Sequence, residues 1–139
     1  DYEITINVEP HGFYTTKPDF MQEMLSFCES PYLRMYMDTG NTFIAGQDPV
    51  AFLQQFLDRT SHVHIKDVSE SLAAQSRGDL TGIAVSHCAI GEGVNADNIV
   101  SCVEILKEAG YSGVLSLECE GQGGPMLEQS LAWFRRVLS

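Results

Sequence analysis

HVHIKD (residues 62–67) decides how this chain is read, because His62 and His64 share one face of a short strand and a charged pair follows them. Three further runs have the same design. They are EITINVE (residues 3–9), ending at Glu9, RMYMD (residues 34–38), ending at Asp38, and GVLSLE (residues 113–118), ending at Glu118. Strands that end on one edge of a sheet bring their last side chains to one place. Glu9, Asp38, His64 and Glu118 are therefore a candidate divalent-metal site of three carboxylates and one imidazole.

Between these strands the pattern switches to helical spacing. Lys17-Pro18-Asp19 opens a predicted helix with Phe20, Met24, Leu25 and Cys28 on its apolar stripe, and Pro31 closes that unit. Asp48-Pro49 opens the next, with Val50, Phe52, Leu53, Phe56 and Leu57 as its stripe. Asn95 opens the third, with Ile99, Cys102, Val103 and Leu106 on one face and Gly110 as its stop. After a glycine-rich turn from Gly121 to Gly124, the last helix is predicted to bury Leu127, Leu131, Trp133, Phe134 and Val137. Ser69–Gly93 is a connection of about 25 residues, far longer than usual, and such segments are commonly functional. It is expected to act as a lid with Gly78 and Gly82 as hinges.

Four successive βα units imply a parallel sheet with helical crossovers. Units of about 35 residues match the spacing of a (β/α)8 barrel, which needs roughly 250 residues in all. The fold expected is α/β, with this chain supplying the last four βα units of a TIM barrel, and residues 1–139 forming the C-terminal half of one domain. An open doubly wound sheet is the competitor, but EPHGFYT after the first strand is not a phosphate-binding glycine loop. The sequence opens on Asp1, directly before a strand, which suggests a segment of a longer chain whose N-terminal half, or a second copy, completes the barrel.

The formal charge of −11 argues against nucleic acid, whose backbone is bound through Lys and Arg. No apolar run approaches the roughly 20 residues of a membrane span, and no leader pattern is legible. Cys28, Cys88, Cys102 and Cys119 are scattered without a CxxC, the usage of reduced thiols in the cytoplasm. The carboxylate-rich donor set suits Mn²⁺, Mg²⁺ or Co²⁺, with Zn²⁺ still admissible.

EPHG, MDTGN, HVHIKD, HCAIGEG and GVLSLECEG, in that order, resemble the second half of the xylose isomerase-like TIM barrels. This superfamily holds sugar and sugar-phosphate isomerases and epimerases, inosose dehydratases, hydroxypyruvate isomerases and apurinic endonucleases. The resemblance implies one metal ion held by Glu9, Asp38, His64 and Glu118, with Glu9 and Glu118 also moving protons. It further implies that His11 and Lys66 lie near the substrate. HCAIGEG resembles the endonuclease segment that supplies an Asp-x-His pair to a multinuclear zinc site, but Val85 stands where the aspartate would be. Asn41 likewise stands where a second histidine would follow Asp38. These departures favour a single metal, with His87 contacting the substrate or packing behind it. His62 is expected one layer deeper, Glu92 to brace a helix start, Glu120 at the rim, and Cys119 turned outward and inert.

The activity so implied is isomerisation or epimerisation of a sugar or sugar phosphate through an enediolate, the two glutamates acting as acid and base. Dehydration of a keto-polyol on the same site is the alternative. An endonuclease-like phosphodiesterase and a non-catalytic barrel domain are weaker readings.

Overall fold

The computed structural model describes residues 2–79, 81–121 and 123–139. Strands β1 (Ile6–Val8), β2 (Leu33–Asp38), β3 (Thr60–Ile65) and β4 (Val114–Leu117) form one parallel sheet in the order β1-β2-β3-β4. Sequential parallel pairing with helices between is the arrangement of successive units in a (β/α)8 barrel. The helices are α1 (Gly12–Thr15), α2 (Pro18–Leu25), α3 (Thr39–Ile44), α4 (Pro49–Phe56), α5 (Glu70–Ser76), α6 (Ala96–Glu108) and α7 (Gly124–Leu138). Leu57–Arg59 adds a turn of 3-10 helix after α4.

The central strands β2 and β3 alternate. Met35, Met37, Val63 and Ile65 are fully buried on the outer face, where they pack with Leu25, Phe52, Phe56, Ile99 and Val103 of the helices. Removing this apolar surface from water is the main force holding helices to sheet. The inner face carries Tyr36, Asp38, His62, His64 and Lys66. The bulky branched residues usual inside such barrels are replaced there by polar groups.

One irregularity sets the parity. Met35 pairs with Thr60, but Tyr36 pairs with His62, so Ser61 is an extra residue in β3. The shift places Asp38 directly opposite His64 and Tyr36 opposite His62. A one-residue slip reverses the faces of every following side chain, so this bulge is what aligns the two candidate ligands.

Several expectations need correction. The buried face of α2 is Met21 and Leu25, while Phe20 and Met24 are substantially exposed. The helix stops at Leu25, so Cys28 lies beyond it and faces solvent. In α7 the burial falls on Ser130 and Phe134, with Trp133 and Val137 partly buried. Leu127 and Leu131 are exposed because α7 packs on α6 at the sheet edge and covers only one flank of its stripe. β1 is three residues long, and Ile4 precedes it with 66% of its surface exposed. Gln122, inside the predicted glycine turn, lies outside the described residues.

Two short helices follow strand ends where the sequence suggested only turns. α1 begins after His11, and α3 begins at once after Asp38. The long connection is not structureless either. Ser69 accepts the amide of Leu72 and caps α5, which Glu70 favours by its charge in the first turn. The helix α6 matches its expected face, and Gly110 ends it at φ +67°, a conformation costly for other residues.

Candidate metal centre

Asp38 is the last residue of β2 and also the N-cap of α3. Its Oδ1 accepts the amides of Gly40 and Asn41, each at 2.8 Å. The capping need of a helix start thus fixes one carboxylate oxygen. The other, Oδ2, is fully buried and has no hydrogen-bond partner among the described residues. It lies 3.7 Å from His64 Nδ1.

His64, on β3, gathers the remaining acids. Its Nδ1 is 3.3 Å from Glu9 Oε1 and 2.8 Å from Glu118 Oε2. Glu118 follows β4 directly and continues its ladder, its amide donating to Ile65 O at 2.9 Å. Glu9, Asp38, His64 and Glu118 each offer a donor atom within 4.8 Å of the others. Opposite ligands of a small divalent cation with bonds of about 2.1 Å are about 4.2 Å apart, so the spread suits one ion. Asp38 Oδ2 and Glu118 Oε2 are buried and have charged neighbours in Lys66 and His64 but no aligned hydrogen bond among the described residues, a deficit that such an ion would offset. The donor set of three carboxylates and one imidazole is chemically fit for Mn²⁺, Mg²⁺ or Co²⁺.

Electrostatics follow from this crowding. Burial pulls the His64 imidazolium down, but the Asp38 and Glu9 carboxylates and the charge of Glu118 outweigh it and push its pKa up to about 9. Burial likewise lowers the His62 imidazolium, and the neighbouring His64 lowers it further.

Lys66 is buried, with its ammonium 2.9 Å from Glu118 Oε1, 3.5 Å from Asp38 Oδ2 and 3.6 Å from Glu120 Oε1. Burial alone would lower its pKa, yet Asp38, Glu118 and Glu120 raise it. Its stem crosses Gly40 so closely that an added Cβ there would come 2.5 Å from Lys66 Cγ. Glycine is the residue that lets the lysine pass.

The remaining expected site residues lie further out. His11 is exposed and caps the first turn through its backbone, its N–H donating to Thr15 Oγ1 at 2.8 Å. His87 is also exposed, and its Nδ1 donates to Glu120 O at 2.9 Å. His62 packs beneath, 2.8 Å from Ser116 Oγ. Cys119 is half-buried near Ser130 Oγ of α7, turned to the helix side as expected. Glu92 reaches Gln129 of α7 and braces that helix, not the start of α6.

Three residues beyond the four candidate ligands organise the site. Tyr36 contacts His64 Nε2. Glu120 is more than a rim residue, since its Oε2 accepts the Ser86 amide at 3.0 Å while Oε1 faces Lys66. Asp67, 2% exposed, accepts four backbone amides, those of Val68, Gly91, Gly93 and Asn95. Two signals were available. Tyr36 is two residues before Asp38 on the same face, and Asp67 is a charged residue at the end of an apolar strand.

The connecting segment sits over the C-terminal ends of the strands. Gly12 donates to Gly82 O, Ala84 donates to Asn41 Oδ1 at 2.9 Å, and Arg77 donates to Phe43 O at 2.5 Å. Each partner follows a strand end, so the segment lies on the face where barrel enzymes carry their sites.

The chain matches the model of the Xylose isomerase-like TIM barrel family over residues 1–137, and it belongs to that family. It is similar to the inosose dehydratase of Clostridium botulinum (strain Eklund 17B / Type B), at 25% identity over 127 residues, which is 86% of this chain and 42% of that protein. Among solved structures it is similar to a D-tagatose 3-epimerase-like protein, with a TM-score of 0.73 and 23% identity, covering 97% of this chain and 47% of the other. A xylose isomerase domain protein from Planctomyces limnophilus gives a TM-score of 0.73 and 22% identity, over 96% of this chain and 44% of the other. The chain spans less than half the length of these relatives. Among the described residues no helix is long and apolar enough to cross a membrane.

Proposed function

We propose that these residues are the C-terminal half of one TIM-barrel enzyme that moves a carbon-bound proton of a small sugar-like carbonyl substrate. The observation that carries this reading is the convergence of Glu9, Asp38, His64 and Glu118, with two buried carboxylate oxygens that lack an aligned hydrogen bond among the described residues. When bound there, a divalent cation would polarise a substrate carbonyl and its neighbouring hydroxyl and make the intervening C–H more acidic.

The chain's own residues supply the rest. Glu9 and Glu118 follow the two outer strands and both reach Nδ1 of His64, so two carboxylates flank the candidate metal position from opposite ends of the sheet. One takes the proton and the other returns it, to the opposite face for epimerisation or to the adjacent carbon for isomerisation. Lys66 holds Glu118 and Glu120 in place from behind. Exposed His11 and His87 at the strand ends are the proposed substrate contacts. The other half of the barrel would pair with the open edges of β1 and β4 and cover Ile4 and Ile6. The free cysteines agree with a reducing cytoplasmic location.

A second reading, dehydration of a keto-polyol, is favoured by the relative named inosose dehydratase. It shares the first proton abstraction and differs in what leaves. The test is incubation of the full chain with Mn²⁺ in D₂O, with ketoses, their phosphates and inosose. Deuterium uptake with a rearranged sugar supports isomerisation or epimerisation. Loss of water to an ultraviolet-absorbing enone supports dehydration. No exchange with any of these substrates would sink the proton-transfer reading.

A further inference from the structure

The two nitrogens of His64 have different surroundings. Nδ1 faces Glu9, Asp38 and Glu118, at 3.3, 3.7 and 2.8 Å. Nε2 faces away from all three and meets the hydroxyl of Tyr36. The Tyr36 ring lies between two imidazoles, its centroid 4.2 Å from that of His62 and 4.3 Å from that of His64. Ser116 Oγ is 2.8 Å from His62 Nε2. Tyr36, His62 and Ser116 thus make a polar layer directly beneath the candidate ligands, held in register by the bulge at Ser61.

An imidazole that ligates a cation through one nitrogen carries its proton on the other, and the partner of that N–H fixes both tautomer and ring plane. Resting on the metal-site reading above, we propose that Tyr36 is the positioning residue of the centre: its hydroxyl accepts the Nε2–H of His64, and its ring, wedged between His62 and His64, locks the plane in which Nδ1 presents its lone pair to a divalent ion. Tyr36 touches neither ion nor substrate and acts through His64. The phenol suits this task. Its hydroxyl has a free oxygen lone pair to accept an imidazole N–H. Phenylalanine at this position would keep the wedge and lose the acceptor, which separates the two contributions.

The experiment has two arms on the full chain. In the first, Mn²⁺ affinity is measured for wild type and for Tyr36→Phe, together with the melting temperature of each without metal. Affinity should fall by about 10- to 100-fold, as for other loss of a hydrogen-bonding partner behind a ligand, while the metal-free melting temperature is nearly unchanged. In the second, ¹⁵N NMR of the wild-type protein loaded with Zn²⁺ should show His64 coordinated through Nδ1 and protonated at Nε2. This arm needs no variant and stands even where Tyr36→Phe folds poorly. Equal affinity in the two proteins, or coordination through Nε2, overturns the role of Tyr36 and leaves the metal centre standing. A wild-type chain that takes up neither ion overturns the metal reading itself.

Discussion

Lys66 and Glu118 are joined by a 2.9 Å contact between Nζ and Oε1, while the other oxygen of Glu118 faces His64. Glu118 is therefore held from both sides, by a buried ammonium behind and by the imidazole in front. A cation at the site and the lysine draw on the same carboxylates. Lys66→Met should leave Asp38, Glu118 and Glu120 uncompensated and destabilise the metal-free protein by about 2 kcal/mol. This is short of the roughly 3–5 kcal/mol of fully enclosed pairs, because Glu118 and Glu120 are partly solvated. Mn²⁺ should bind severalfold more tightly once the competing ammonium is gone. Thermal melts with and without Mn²⁺ check both signs, and a metal-induced shift no larger than in wild type would refute the competition.

Glu9→Gln and Glu118→Gln separate ligation from proton transfer. Each keeps the side-chain shape and removes a base. Substrate-deuterium exchange should fall by about 10²–10⁴-fold in either variant. Mn²⁺ content should fall in both variants, since each glutamate supplies one of the four converging donor atoms. Normal exchange in Glu9→Gln would exclude a two-glutamate mechanism.

Asp67 is a structural clamp in the same motif as His64. Both of its oxygens accept two amides each, tying the end of β3 to the loop that starts α6. Asp67→Asn replaces one oxygen with a donor that faces donors. At about 1.5–3 kcal/mol for each hydrogen bond to a charged group, a loss of about 3 kcal/mol is expected. Chemical denaturation measures it, and a loss below about 1 kcal/mol would mean that water replaces the carboxylate easily.

The segment over the strand ends is anchored to the site by side chains. Ala84 and Ser86 donate their amides to Asn41 Oδ1 and Glu120 Oε2 rather than to a backbone ladder. Such amides should exchange faster than those of β2 and β3 in the free protein, and slow when Mn²⁺ and substrate are bound. Exchange of Ala84 and Ser86 unaffected by ligand would rule out a lid.

Cys102 is fully buried on α6, and burial, with the charge of Asp48, pushes its thiol up to about 12. At pH 8 only about one molecule in 10⁴ carries the thiolate there, so iodoacetamide should label exposed Cys28 and spare Cys102 until unfolding. The unfolded thiol loses its proton near pH 9 and the folded one does not, so stability falls as pH rises from about 9 towards 12. A Cys102→Ala variant should lose that part of the alkaline decline, and mass-resolved labelling follows the thiol itself.

Much of the architecture was legible because it rests on local periodicity. Alternation in HVHIKD put His62 and His64 on one face, and the structure buries Val63 and Ile65 on the other. Helical spacing placed Ile99, Cys102, Val103 and Leu106 on the buried face of α6. What failed depended on neighbours. Leu127 and Leu131 have helical spacing but no element over them among the described residues, and Met24 has the period of α2 yet sits at its open flank. Period locates a stripe and cannot say how wide a stripe will be covered.

The sequence by itself determined the order of the four strands and their main helices and the four residues that stand at strand ends, because each follows from spacing within a few residues, while the family was legible as a resemblance of motifs in order. Only the tertiary structure decided how those four share their atoms. The extra residue at Ser61 sets Asp38 opposite His64. The start of α3 occupies Asp38 Oδ1 and leaves Oδ2 free. Lys66 reaches Glu118 across Gly40, and Tyr36 comes to rest on His64 Nε2. These are contacts between residues far apart in the chain, fixed by strand register and by close packing, and no local pattern in the sequence carries them.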